Sequence, residues 1–298
     1  MREHEADILI GSKTPRRRSL WLTLALGMLA VIVLGVALPN SPLTAPMPDT
    51  VEMADMTWVE VRGAIERGYT VAIVPTGGIE QNGPHMVLGK HDYIVRDAAG
   101  RIAKQLGRTL VTPVVSFVPE GGYDPPTGNM QFPGTLGIPE PVFAQVLEGI
   151  ARSLKLAGFK TICFVGDHGP SQASQAAIAA KLNAEWLGQE THVLHVSDYY
   201  VDGAQIIFLR KKGETPATMG VHAGLIDTSE LLAVHPGGVD LSRLAALPLN
   251  PEPTGHSGDP ARASAEYGTA LLEIRISAAV RQIRAALKGR HASSQDPQ

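Results

Sequence analysis

The stretch Gly77-Gly78-Ile79-Glu80-Gln81-Asn82-Gly83-Pro84-His85-Met86-Val87-Leu88-Gly89-Lys90-His91-Asp92 decides the fold. It follows an apolar run, Val71-Ala72-Ile73-Val74, and leads into a helical pattern from about Asp92 to Leu106, with Gly107 as its stop. A carboxylate and several imidazoles therefore sit on a Gly/Pro-shaped loop at the C-terminal end of a strand, where open α/β sheets place their chemistry. Gly83 and Pro84 bend the backbone, so Glu80, His85 and His91 can converge. Carboxylate plus imidazole is the ligand chemistry of zinc, manganese and iron(II) hydrolase centres.

Outward from this loop, strands are expected over 69–75, 109–118, 160–165 and 191–196. Helices are expected over 58–67, 140–157, 172–187 and 260–287. Strands alternating with helices predict a parallel sheet covered on both faces. The connection 119–139 is long for a compact domain, which marks it as functional or disordered. A second loop, Gly166-Asp167-His168-Gly169, also leaves a buried strand, and neighbouring loops of this kind lie side by side. Glu80 and His91 from one loop and His168 from the other can thus meet. In a third loop, His222-Ala223-Gly224-Leu225-Ile226-Asp227-Thr228-Ser229, Asp227 or Thr228 is expected to cap a helix over 229–234. His85, His91, His168 and His222 share this placement and are the functional candidates. His192 and His195 read as packed or surface residues of a strand, His235 as a helix-end residue, and His256 is undecided between turn and site.

A chain of 298 residues with 44% hydrophobic content fills a sizeable core, and its net charge of −3 gives no footing for nucleic acid. Cys163 is the sole cysteine, so neither an intrachain disulfide nor a thiolate zinc cluster can form. It lies in Thr161-Ile162-Cys163-Phe164-Val165, the setting of a buried strand residue. Arg16-Arg17-Arg18 precedes a nearly uncharged run from Leu20 to Leu38, which predicts a signal peptide or membrane anchor over residues 1–38. Arg17-Arg18-Ser19-Leu20-Trp21 also looks like a twin-arginine export signal, and both readings put the main domain outside the cytoplasm, periplasmic and either exported or anchored by this segment. Residues 39–53 read as a Pro-rich linker, 54–290 as the catalytic domain, and 291–298 as a disordered tail. No Gly-x-Ser-x-Gly elbow or phosphate-binding Gly-x-x-x-x-Gly-Lys is present.

Gly78-Ile79-Glu80-Gln81-Asn82-Gly83-Pro84-His85 resembles the Gly-Ser-x-Glu-Gln-His-Gly-Pro-His signature of the creatininase (creatinine amidohydrolase) family. The resemblance continues in order through Phe132-Pro133-Gly134-Thr135, Gly166-Asp167-His168-Gly169, the His222 loop and Gly258-Asp259-Pro260, about residues 55–290. It implies an α/β fold of three αβα layers with a mainly parallel sheet, often assembled as a homo-oligomer. It also implies a divalent metal (Zn, Mn or Fe) and water-dependent cleavage of C–N bonds in cyclic amides, formamides and related small molecules. The family's usual two-metal site has ligand positions at Glu80, Asn82, His91 and His168 with a further carboxylate from nearby, and its catalytic histidine falls at His222.

Two of those positions have changed, because Asn82 replaces an imidazole and His91 replaces a bridging carboxylate. A neutral imidazole has one free lone pair and cannot bridge two ions. Glu80, His91 and His168 are therefore expected to hold one ion firmly. Asp92 is a substitute ligand after a one-residue slip, and Asp167 or Asp227 are candidates to rebuild a second site. His222 is expected to donate a proton to the leaving nitrogen with Asp227 beside it, while His85, Tyr123 and Phe132 surround the substrate. Two alternatives on the same scaffold are a non-catalytic extracytoplasmic binding protein and a lactone or sugar-ring hydrolase.

Overall fold

Val71–Thr76 (β1) and Thr161–Gly166 (β3) are buried along their whole length, which only a sheet covered on both faces allows. With Thr109–Val111 (β2) and His192–His195 (β4) they form one parallel sheet in the order β2-β1-β3-β4. The computed structural model describes residues 49–201, 203–245 and 254–293. The expected signal or anchor over 1–38, the linker up to residue 48 and residues 294–298 lie outside the described residues. Among the described residues no helix is long and apolar enough to cross a membrane.

Successive strand residues point to opposite faces, and the packing follows that period of two. Ile73, Cys163 and Val165 face a cluster built from Lys90–Leu106 (α2), Leu225–Val234 (α8) and Ala265–Ser293 (α10). Ala72, Val74, Ile162 and Phe164 face Trp58–Glu66 (α1), Glu140–Ala157 (α3) and Gln172–Glu185 (α4). The result is the expected three-layer αβα arrangement. Thr57 and Glu60 start α1 with a reciprocal capping box, and Gly158 ends α3 at φ 106°, a conformation that favours glycine. Cys163 is fully buried, and burial pushes its thiol up to about 12, so it is a core residue and no nucleophile.

Several boundaries differ from the sequence expectation. The second strand stops at Val111 instead of running to Val118, because Pro113 has no N–H to give the ladder; only single bridges resume at Val115 and Val118. The end of the linker belongs to the fold, since Val51 accepts a hydrogen bond from Val111 N–H at 2.8 Å and Glu52 bridges Val111. The last helix continues to Ser293, past the expected start of the tail. Short helices over Ser197–Tyr200 (α5), Gly203–Lys211 (α6), Pro216–Met219 (α7) and Ser242–Ala245 (α9) lacked a clear periodic signal.

Thr76 and Gly166 are in register, and Asp167 N–H donates to Thr76 O at 3.0 Å, so the loops after β1 and β3 leave the sheet side by side. Ile73, with no exposed surface, anchors β1 beneath them. Ile73→Ala is expected to lower stability by about 2–5 kcal/mol in chemical denaturation, the range for such truncations in a packed core.

Candidate metal centre

The loop after β1 is folded back by its own polar groups. Glu80 N–H donates to Leu88 O at 3.1 Å. The Asn82 amide donates to the carbonyls of Glu80, Val87 and Leu88 at 2.9, 3.1 and 3.3 Å. This brings Glu80 against the first turn of α2, which carries Lys90 and His91. Asp92 accepts from Gly78 N–H at 3.0 Å, and a Cβ at Gly77 would lie 1.9 Å from its Oδ1. Its carboxylate ties α2 to the loop after β1, and Asp92 is not among the three donors that converge.

Glu80, His91 and His168 each offer one ligand atom, all within 4.8 Å of one another, and their residues are 1%, 6% and 2% exposed. Glu80 Oε1 lies 2.7 Å from His91 Nε2, and its Oε2 lies 3.2 Å from His168 Nε2. His91 Nδ1 lies 2.6 Å from Asp167 Oδ2. Asp167 is held in turn by Arg275 at 2.7 Å and by the Tyr199 hydroxyl, which donates at 3.1 Å. A carboxylate behind a ligating imidazole fixes its tautomer and aim. Asp167 fits that role and is not free to rebuild a second ion site. Asp227 is committed as well: it accepts from Ala223 N–H at 2.7 Å and from Lys90 Nζ at 3.1 Å. Neither Asp227 nor Thr228 caps α8, which begins at Leu225 with Gly224 as its N-cap.

Burial alone would raise the Glu80 carboxyl, but His91, His168 and Lys90 outweigh it and hold Glu80 far below the usual carboxylate range. Burial and Lys90 depress His91, yet Glu80 and Asp167 win and raise it to about 9. His168 is also lowered by burial and raised, on balance, by its bonds to Glu120 and Glu80. Burial lowers Lys90 while Asp227 and Glu80 raise it further, and burial raises Asp227 while Lys90 and His91 hold it at about 2. The buried carboxylates of Glu80 and Asp167 thus hold the imidazoles of His91 and His168 in one place, and carboxylate with imidazole is a donor set that fits a divalent ion.

The trio opens onto a cavity of about 760 Å³, whose wall includes Asp227, His222 and the apolar side chains of Ile206, Met219 and Ile226. His222 is held by Gln81, with Nε2 at 3.0 Å from Gln81 O and 2.9 Å from its side-chain nitrogen, and Nδ1 lies 3.7 Å from Glu80 Oε1. The three residues expected around the substrate do not line this cavity. Tyr123 is exposed and its hydroxyl donates to Gly137 O at 2.9 Å, and Phe132 is half-buried in the loop. His85 is buried at 3.0 Å from Thr228 Oγ1, and burial with the neighbouring His256 holds it at about 4, so it is a neutral packing group. His256 itself bonds Thr254 Oγ1 at 2.8 Å within its own loop. Lys90, Glu120, Asn129 and Arg275 were not anticipated. Lys90 stood inside the decisive stretch, but its full burial follows only from the folded loop; Arg275 comes from a distant helix and leaves no local signal.

Parallel strands whose C-terminal ends carry a buried Glu–His–His set define a metal-dependent α/β hydrolase. The Creatininase family, described as creatinine amidohydrolase, matches residues 54–283. Creatinine amidohydrolase of Pseudomonas putida is 25% identical over 257 residues, covering 80% of this chain and 98% of that protein. The mycofactocin precursor peptide peptidase of Mycolicibacterium smegmatis is 30% identical over 120 residues, 39% of this chain and 46% of that protein. A solved manganese form of creatininase superposes with a TM-score of 0.64 at 24% identity, covering 80% of this chain and 98% of its own. The chain belongs to the creatininase family and is an enzyme of its class, a metal-dependent amidohydrolase.

The pKa of His91 gives the site a pH signature. A divalent ion must displace the proton from Nε2, so below about 9 the apparent affinity falls as pH falls, by about tenfold per unit for each proton displaced. Zinc or manganese titrations between about pH 6 and pH 9 should show affinity rising steadily, with proton release in calorimetry. A flat profile would contradict ligation through His91.

Proposed function

We propose that this enzyme hydrolyses a C–N bond in a cyclic amide, formamide or related small amide, with one divalent ion held by Glu80, His91 and His168. The carrying observation is the convergence of these three buried donors at the ends of β1 and β3, beside a cavity of ligand size. A bound zinc, manganese or iron(II) ion supplies Lewis acidity that activates water and polarises a carbonyl. Glu80 reaches both imidazoles through its two oxygens, which keeps the donors in one orientation before substrate arrives. Asp167 accepts from His91 Nδ1–H and so leaves the Nε2 lone pair for the ion. His222, on the cavity wall and steadied by Gln81, is placed to hand a proton to the departing nitrogen, a contribution of about 10²- to 10⁴-fold. The apolar wall at Ile206, Met219 and Ile226 sheds water from the substrate's body.

The cavity also has room for an amide larger than a single ring, and one relative is named as a peptide peptidase. Short peptides therefore belong in the substrate panel beside creatinine and simple formamides. The charge and hydropathy of residues 1–38 support export or anchoring outside the cytoplasm, and the family resemblance supports a homo-oligomer.

His168→Ala is expected to abolish both retained metal, measured by elemental analysis, and hydrolysis of the panel. His222→Ala is expected to keep its metal while kcat falls by about 10²- to 10⁴-fold. Full turnover by a chelator-stripped sample would sink the reading.

A further inference from the structure

Glu120 lies where the long loop leaves the sheet, and its side chain has no exposed surface. Its Oε2 is 3.1 Å from His168 Nε2, the same nitrogen that faces Glu80 Oε2 at 3.2 Å. Its Oε1 has no hydrogen-bond partner among the described residues. A carboxylate with one oxygen unmet in the interior is unfavourable unless a cation completes it. Donors bound to one zinc ion at about 2.0–2.2 Å stand roughly 3 Å or slightly more from their neighbours, the spacing seen around His168 Nε2.

The loop is built to deliver this group. Asn129 N–H donates to Glu120 O at 3.0 Å, which folds residues 121–128 into a closed excursion and sets the two side chains together. The Asn129 amide bonds Glu80 Oε2 and, at 3.1 Å, Glu120 Oε2, so both carboxylates converge on one point. Gly78 and Gly137 make the space: a Cβ at the first would meet Glu120 Oε1 at 3.0 Å, and at the second Glu120 Cβ at 2.8 Å. His168 Nδ1 has no partner either, which leaves Nε2 as the nitrogen turned to the acidic groups.

We infer that Glu120 is a further protein ligand of the metal centre, which makes the set two carboxylates and two imidazoles. This rests on Glu80, His91 and His168 holding the ion as proposed above. Two carboxylates neutralise a divalent charge and suit zinc, manganese or iron(II) in a site without thiolates.

The test is a structure of the wild-type enzyme crystallised with zinc, together with zinc affinities of wild type and Glu120→Gln by chelator competition. Melting of the metal-free proteins serves as the fold control. The expected result is a zinc ion with a Glu120 oxygen at about 2.0–2.2 Å, and zinc affinity reduced by about 100-fold or more in the variant. Zinc bound by Glu80, His91 and His168 with both Glu120 oxygens beyond about 3 Å would overturn the assignment and leave Glu120 as an orienting group. So would equal affinity in a folded Glu120→Gln. A wild type that takes up no zinc would overturn the metal reading itself and this ligand with it. Should the variant fail to fold, the Glu120 distance in the wild-type structure decides alone.

Discussion

Glu80 carries a negative charge at the end of β1 with 1% of its surface exposed, and the surrounding structure is organised by the need to compensate that charge. A buried carboxylate is tolerated only when cations and donors reach it without leaving their own charges unmet. Lys90 and His91 arrive from the first turn of α2, His168 from the loop after β3, and Asn129 from the long loop. None is adjacent to Glu80 in space unless the loop after β1 closes, and the Asn82 amide closes it with three bonds to backbone carbonyls. The parallel register of β1 and β3 does the rest by fixing where His168 emerges.

The charge balance extends inward from the site. Arg275 joins Asp167 to Glu230, both at 2.7 Å, and stacks its guanidinium over Tyr199 at 4.1 Å. Burial raises Glu230 despite Arg275, whereas Arg275 and His91 outweigh burial at Asp167 and hold it low. The imidazole of His91 is therefore backed by a carboxylate whose own position is fixed from two sides. Such a chain of fully buried partners holds a ligand rigidly, because breaking any one link strands a charge.

The sheet, its parallel sense and its two covered faces were legible in the sequence, because β1 and β3 read as short apolar runs between Gly-marked helices. The convergence of Glu80, His91 and His168 was legible for the same reason, since loops after neighbouring parallel strands have one place to go. The end of β2 was misread through an apolar run that Pro113 interrupts. Tyr123 and Phe132 are aromatic residues on a long loop that turns Glu120 and Asn129 inward and leaves the aromatics off the cavity wall. Lys90 and Glu120 look like ordinary surface charges in a linear chain. Only tertiary closure buries them, and composition around them gives no sign of it.

The altered residues change what each position can offer to an ion. Asn82 spends its amide hydrogens on the loop backbone and offers no imidazole. His91 takes its second nitrogen to Asp167 and cannot bridge. Asp227, which faces the same cavity, is paired with Lys90, an ammonium 3.6 Å from Glu80 that puts a fixed positive charge beside the trio. That ammonium raises the cost of any further cation on its side of Glu80. Among the described residues Glu120 keeps one carboxylate oxygen without a partner, and its other oxygen lies 3.1 Å from His168 Nε2, which meets the oxygen of Glu80 opposite to the one that Lys90 approaches.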